Sequence, residues 1–523
     1  IVKQSFYLAE QDLAEMFVYE SPARVHETAQ WCEQTNSGQV FMPPAMWLCS
    51  GHGLVRGMMH GLKAETGYSF VEDVMVVELL KKDQQVVGAI GVEIMTGKII
   101  RFSAKAVILA TGGYQPFTLK NGTSDLTGDG MAMAYRAGAT LSDMEFQLFM
   151  PSATEPQINH GSLIIYLYQA LTGVIPPATD KNGKRIEVPE EIARMAEGSE
   201  LDKLVSTYYW AKVIAAGQAF PDTSIYLDFS EMTDNEIIRS FDKMIAGMKS
   251  LFREGYYHGE SIREYRDYIL KNRRVKVAPV SEYSMGGVVI NTRTETGVPG
   301  LYAAGEVATG TFGACRVADA VVDIMNQGYK AGVCAAEYAR NTELKDPEDQ
   351  DVQHILAEMT AALGRQGAVN GEKLMRMIAS AVDSGFGVYR TEERLAETQK
   401  ELERLEREEL PHVAVPCGSL RYNYDWICAL QAKNLLTCTL AGVRAARARK
   451  ESRGFHLRHD YPQVDNIHWA VHQDIRDDHG KMVFTTRAPK VTRLPIPQRV
   501  EKDIPEFMKN EALEFKNETT LRD

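Results

Sequence analysis

The chain has 523 residues, 44% of them hydrophobic and 24% charged, with a formal net charge of −12. This is the composition of a soluble globular protein, and the length predicts about three to four domains. The acidic balance argues against nucleic acid as a partner, and no run of 18 apolar residues supplies a transmembrane segment.

In chain order, residues 1–40 place apolar residues at helical spacing and predict a helix that is already under way near Ile1. Residues 66–110 change to short β-branched runs broken by polar turns at Lys81–Gln84 and Thr96–Lys98, which predicts strands in hairpins. The run AVILATGG ends a fully apolar strand in a glycine pair, a pattern typical of parallel strands covered on both faces. TGDGMAMAYRAGAT, at 127–140, reads as a loop opening a helix. Residues 150–275 have mixed polarity with helical segments such as DNEIIRSFDKMIAGMKSLF, and read as an insertion. Residues 277–336 return to strand–glycine–strand–helix texture. Residues 351–450 are helical and rich in i,i+4 charge pairs, which mark a solvated face. The tail, 451–523, is loop-rich with a hairpin near KMVFTTRAP, and RKESRGFHLRHDYP reads as an ion-paired turn.

Seven scattered cysteines include no CxxC pair, so neither a zinc cluster nor a disulfide framework is expected, and a reducing compartment fits. Three glycine clusters stand where backbone could approach a nucleotide. Ala110–Gly113 and Gly305-Glu306 each close an apolar strand, and Gly128-Asp129-Gly130 opens a helix. The fingerprint GxGxxG is absent, because Gly51-His52-Gly53 is followed by Arg56 and Gly128-Asp129-Gly130 by Met133. Either no dinucleotide binds or an upstream unit, in which a targeting segment could also lie, belongs to the protein.

ATGG (110–113), TGDGMAMAYRAGATLSDMEF (127–146), YSMGG (283–287), GLYAAGE (300–306), GACR (313–316) and RKESRGFHLRHDYP (449–462) occur in order. Together they resemble the flavoprotein subunit of succinate dehydrogenase and fumarate reductase. The resemblance implies an α/β fold in which a two-part, Rossmann-like FAD-binding domain carries an inserted α+β capping domain. A helical domain and a small loop-rich tail follow. The expected divisions are 1–150 and 277–340 for the FAD-binding parts, 151–276 for the cap, 341–450 for the helical domain and 451–523 for the tail. It further implies FAD, with Ala110, Thr111, Gly112, Asp129, Gly286, Glu306 and Val321 beside it and Glu306 as a ribose partner. An iron–sulfur subunit is the implied electron partner. The implied location is cytoplasmic, peripheral on the inner face of the cytoplasmic membrane through such a partner.

The catalytic positions depart from the family pattern. Arg316 of GACR remains to grip a carboxylate. Met150 stands where QFHPT has histidine, and Glu282 stands where HYxMGG has histidine. Tyr208 or Tyr209 falls nearest the cap's arginine, and Tyr208 is the expected proton donor. A second carboxylate about 4 Å from Glu282 would be repelled by about 4 kcal/mol at an effective dielectric near 20. The resemblance with these departures therefore implies an FAD-dependent oxidoreductase acting on a C=C or CH–CH bond of a small organic acid or related compound, with Glu282 protonated by burial, accepting hydrogen bonds from a hydroxyl or amine, or acting as general base. The alternatives are a genuine succinate dehydrogenase or fumarate reductase subunit with a rearranged site, and a non-catalytic flavin electron-transfer or assembly subunit.

Overall fold

The computed structural model describes residues 1–42, 46–68, 70–119, 126–196, 201–251, 260–316 and 320–511. The β-branched runs after residue 73 form a three-stranded antiparallel sheet, Val74–Lys82, Gln85–Glu93 and Lys98–Ser103. Its first turn is made by Asp83 and Gln84, both at positive φ (51° and 63°), the two-residue geometry that matches the twist of flanking strands.

The apolar run before ATGG becomes the strand Val107–Leu109. It pairs in parallel with Leu301–Ala303, far along the chain, and the helix Ala320–Arg340 packs on both. The C-terminal ends of these two strands lie side by side, and they carry ATGG and AGE. The insertion builds a four-stranded antiparallel sheet in the order Gln147–Ala153, Arg274–Ser284, Ile225–Asp228, Ala178–Thr179. Its helices bury Tyr168, Trp210, Phe241 and Tyr265 in a core of their own. The expected divisions at 150/151 and 276/277 therefore fall inside paired strands rather than in linkers. A five-stranded sheet draws Leu141–Ser142, Gly287–Val289 and Ala308–Thr309 together with the tail hairpin His472–Asp478 and Lys481–Arg487.

Helices Gly371–Gly385, Glu392–Arg404 and Tyr424–Ala448 pack together. Asn370, Thr391 and Asn423 cap them by accepting backbone N–H bonds, each contributing about 1 kcal/mol. The last of these helices buries Leu435, Leu436, Leu440 and Val443 in the main core with Met131, Leu141 and Val288. Each side chain of this size contributes roughly 1.5–3 kcal/mol.

The first ten residues are not helical, contrary to expectation. Phe6 and Tyr7 take φ of 57° and 61°, a conformation costing about 1–2 kcal/mol per residue. Burial of the rings offsets it: Phe6 stacks on Phe507 at 4.3 Å, and Tyr7 sits edge-on to the same ring. Arg453 donates to the Phe6 carbonyl at 2.5 Å. The RKESRGFHLRHDYP turn is ion-paired as expected, with Arg449, Glu451, Arg453 and Arg458 buried. Arg449 reaches Glu145 at 2.7 Å and Glu451 at 2.9 Å, and Arg453 reaches Glu451 at 2.6 Å. Removing one member of such a network costs about 3–5 kcal/mol, because its partner is left charged without water.

Candidate active site

Glu282 sits at an irregularity in the strand Arg274–Ser284. Ser281 faces Phe149 and Tyr283 faces Leu148, so Glu282 is the extra residue of a β-bulge. A bulge re-aims one side chain out of the alternating pattern. Here the side chain, 19% exposed, meets two cations. Arg316 Nη2 lies 3.3 Å from Oε1 and 3.4 Å from Oε2, and Lys203 Nζ lies 3.4 Å from Oε2. Arg316 comes from GACR on the FAD-domain side, and Lys203 from the helix Leu201–Ala215 of the insertion. Both are buried, at 8% and 6% exposure. Gln115 holds the bulge by donating to the Glu282 carbonyl at 3.2 Å. Arg316 lies 5.1 Å over the Tyr283 ring, and Lys203 lies 5.0 Å from the Tyr166 ring. The ion-pair distances exceed the 2.7–2.9 Å of a tight charge-assisted bond.

Beside this cluster lie the two parallel strand ends. Gly112 has φ of +72°, and a Cβ on Gly113 would lie 2.2 Å from Ser284 Oγ and 2.3 Å from Glu306 Oε1. Glu306 Oε1 accepts from Ser284 N at 2.9 Å and Ser284 Oγ at 3.2 Å. Burial pushes the Glu306 carboxyl up to about 7, against the opposing pull of Ser284 and Arg316. Burial also pushes Asp323, in the first turn of Ala320–Arg340, up to about 7, with Gln327 and Thr311 opposing. Gln327 accepts from Gly305 N–H and donates to Asp323 and Thr311, fixing the turn that presents Glu306.

Ala110 and Thr111 lie exposed at the strand end, and Thr111 Oγ1 packs against Gly130, where a Cβ would come within 1.9 Å. Segments 110–113, 284–287 and 305–306 thus converge as the sequence implied. Four expectations need correction or refinement. Gly286 is required by the backbone of Asp143, whose carbonyl would lie 2.3 Å from a Cβ there, so packing accounts for this glycine. Asp129 has both oxygens engaged, by Thr127 at 2.6 Å and Asn434 at 2.5 Å, and ties its helix to Tyr424–Ala448. Val321 sits exposed at the start of Ala320–Arg340, while 317–319 of its loop lie outside the described residues.

Tyr208 does not join the Glu282 cluster. Its ring faces Tyr209 at 5.2 Å and Lys212 at 4.4 Å, and burial together with Asp503 raises its hydroxyl pKa. Five residues from Lys203, it lies about 140° around the helix. The group that sequence reasoning missed is Lys203. Its signal is a lysine inside the buried arc Leu201, Leu204, Val205 and Thr207. Met150 is buried opposite Val280 and brings no titratable group.

Comparison with known proteins bears on this arrangement. A family model described as an FAD binding domain matches residues 1–319, and one described as the fumarate reductase flavoprotein C-terminus matches 375–502. The chain belongs to the succinate dehydrogenase/fumarate reductase flavoprotein family. An uncharacterized FAD-dependent oxidoreductase of Methanocaldococcus jannaschii is 30% identical over 418 residues, covering 79% of this chain and 71% of that protein. The fumarate reductase flavoprotein subunit of Mycobacterium tuberculosis is 28% identical over 528 residues, covering 94% and 87%. Escherichia coli quinol fumarate reductase shares the fold with a TM-score of 0.80 at 22% identity, covering 95% of this chain and 87% of that one. As a member of this flavoprotein family, the chain is an FAD-dependent oxidoreductase. The residues present fit that cofactor: a half-buried carboxylate and a glycine with no room for a Cβ stand at the ends of two parallel strands, where open α/β sheets bind ligands.

Proposed function

We propose that the chain transfers hydride between FAD and a C=C or CH–CH bond of a small monocarboxylic acid held by Arg316 and Lys203. The carrying observation is the Arg316–Glu282–Lys203 cluster. Two cations from opposite domains meet there around one carboxylate, which suits a substrate carrying a carboxylate. A guanidinium carries five N–H donors and an ammonium three, enough to hold Glu282 and a substrate carboxylate together. Glu282, aimed by the bulge, takes a proton from the substrate's saturated carbon or returns one to the unsaturated carbon. FAD held at the strand ends beside Gly113 and Glu306 would supply the hydride chemistry. Tyr283 and the buried face of the helix Leu201–Ala215 screen the cluster from water, which strengthens each charge contact.

A dicarboxylate is the second reading, supported by the arrival of two cations from opposite domains. Reduced-dye turnover of matched 2-enoates separates the readings. The monocarboxylate is expected to give the higher kcat/KM by about tenfold or more. A faster dicarboxylate supports the second reading, and a bound but inert flavin supports an electron-transfer or assembly role. Relatives named as flavoprotein subunits support an electron-carrying partner, which we take to be an iron–sulfur subunit. Among the described residues no helix is long and apolar enough to cross a membrane, so a peripheral membrane position would be reached through that partner.

A further inference from the structure

We propose that a second cavity, between the inserted domain and the helical domain, binds a small aromatic monocarboxylate with Arg394 as its anion-binding group. The cavity measures about 330 Å³, within the range of small-molecule sites, and none of Glu282, Arg316 and Lys203 lines it. Arg394 stands in the first turn of Glu392–Arg404. Its guanidinium has no hydrogen-bond or ion-pair partner among the described residues, and its Nε is shut from solvent. Other arginines of this region are paired: Arg404 contacts Glu401 and Glu409, and Arg447 contacts Glu392. A buried guanidinium edge with nothing to donate to is costly, and an anion entering the cavity would remove that cost.

The wall also carries two carboxylates, and neither is paired with Arg394 among the described residues. Asp222 accepts from Ser224 N at 3.1 Å and Ser224 Oγ at 2.6 Å, and Asp383 accepts from Thr118 N–H at 3.2 Å. On the wall facing Arg394, Thr154 Oγ1 is likewise buried without a partner. Two unsatisfied polar groups from different domains thus border one space. Between them the walls are apolar, with Phe149 and Ile214, and the Tyr389 ring lies under Arg394 at 5.1 Å. A planar carboxylate matches the guanidinium fork, and an aromatic body matches the apolar walls and the Tyr389 face. Pro279, also on the wall, lies three residues before Glu282 on the same strand, so occupancy bears on the strand that carries the bulge.

Benzoate is the probe, titrated into the flavin-loaded protein by calorimetry. The proposal predicts a saturable binding event weakened at least about tenfold by Arg394→Met and retained by Arg316→Lys. Ile214→Phe, which narrows the opposite wall and leaves Arg394 in place, should weaken binding as well. No saturation up to about 10 mM, affinity unchanged in Arg394→Met, or affinity lost in Arg316→Lys instead would each overturn it.

Discussion

Replacing Glu282 by glutamine should lower stability and raise anion affinity together. Contacts of 3.3 and 3.4 Å correspond to a gross attraction of about 5 kcal/mol each at an effective dielectric near 20. Desolvation and the partial exposure of Glu282 reduce this, and leaving Arg316 and Lys203 without their carboxylate should cost about 3 kcal/mol net. The same change removes one negative charge from between the two cations. An incoming carboxylate about 4 Å away escapes a gross repulsion of about 4 kcal/mol, which solvent screening trims to about 1–2 kcal/mol, or roughly five- to thirtyfold in affinity. Urea unfolding reads the first effect, and titration of the flavin absorbance with succinate reads the second. Turnover should fall by at least about a hundredfold, since glutamine takes up no proton at neutral pH. Unchanged stability combined with weaker succinate binding would refute the cluster as the anion site.

Other expected outcomes follow from neighbouring groups. Lys203→Met should cut kcat/KM by about ten- to a hundredfold, the loss of one charge-assisted bond, whereas Tyr208→Phe should leave it within about twofold; the reverse order would restore Tyr208 to the site. Asp323 is pushed up to about 7 by burial, so the folded state holds its proton more tightly than the unfolded chain. Its contribution is full below the unfolded value of 3.8 and is lost as pH rises through about 7, up to about 4 kcal/mol. Asp323→Asn should therefore flatten the fall in urea midpoint between about pH 4 and 7, and an unaltered slope would contradict the assignment. A methyl group at Gly113 would strike Ser284 and Glu306, so Gly113→Ala should lower the flavin-to-protein absorbance ratio. Full flavin retention would place the cofactor elsewhere.

Local pattern made much of the fold legible. The hairpin turn at Asp83-Gln84, the apolar strand into ATGG and the charged helices after residue 350 follow from spacing and turn chemistry, which act within a few residues. The ordered motifs also brought Gly113, Ser284 and Glu306 to one place. What escaped depended on docking between distant elements. Lys203 reaches Glu282 only because the insertion folds back over the bulge, and a bulge leaves no mark in the alternation of EYSMGG. Gly286 reads as a cofactor glycine by motif, yet the Asp143 backbone, just past the strand Leu141–Ser142, is what excludes a side chain there. The strand Arg274–Ser284 crosses a boundary drawn from composition, because composition changes where the chain leaves a core and not where a strand ends.

The most direct measurement is the structure of the flavin-loaded protein with a saturated monocarboxylate bound. The predicted result places the ligand carboxylate about 3 Å from both the Arg316 guanidinium and Lys203 Nζ, with the Glu282 carboxylate against the adjacent carbon. A ligand bound elsewhere, with Arg316 and Lys203 still closed on Glu282 alone, would contradict it.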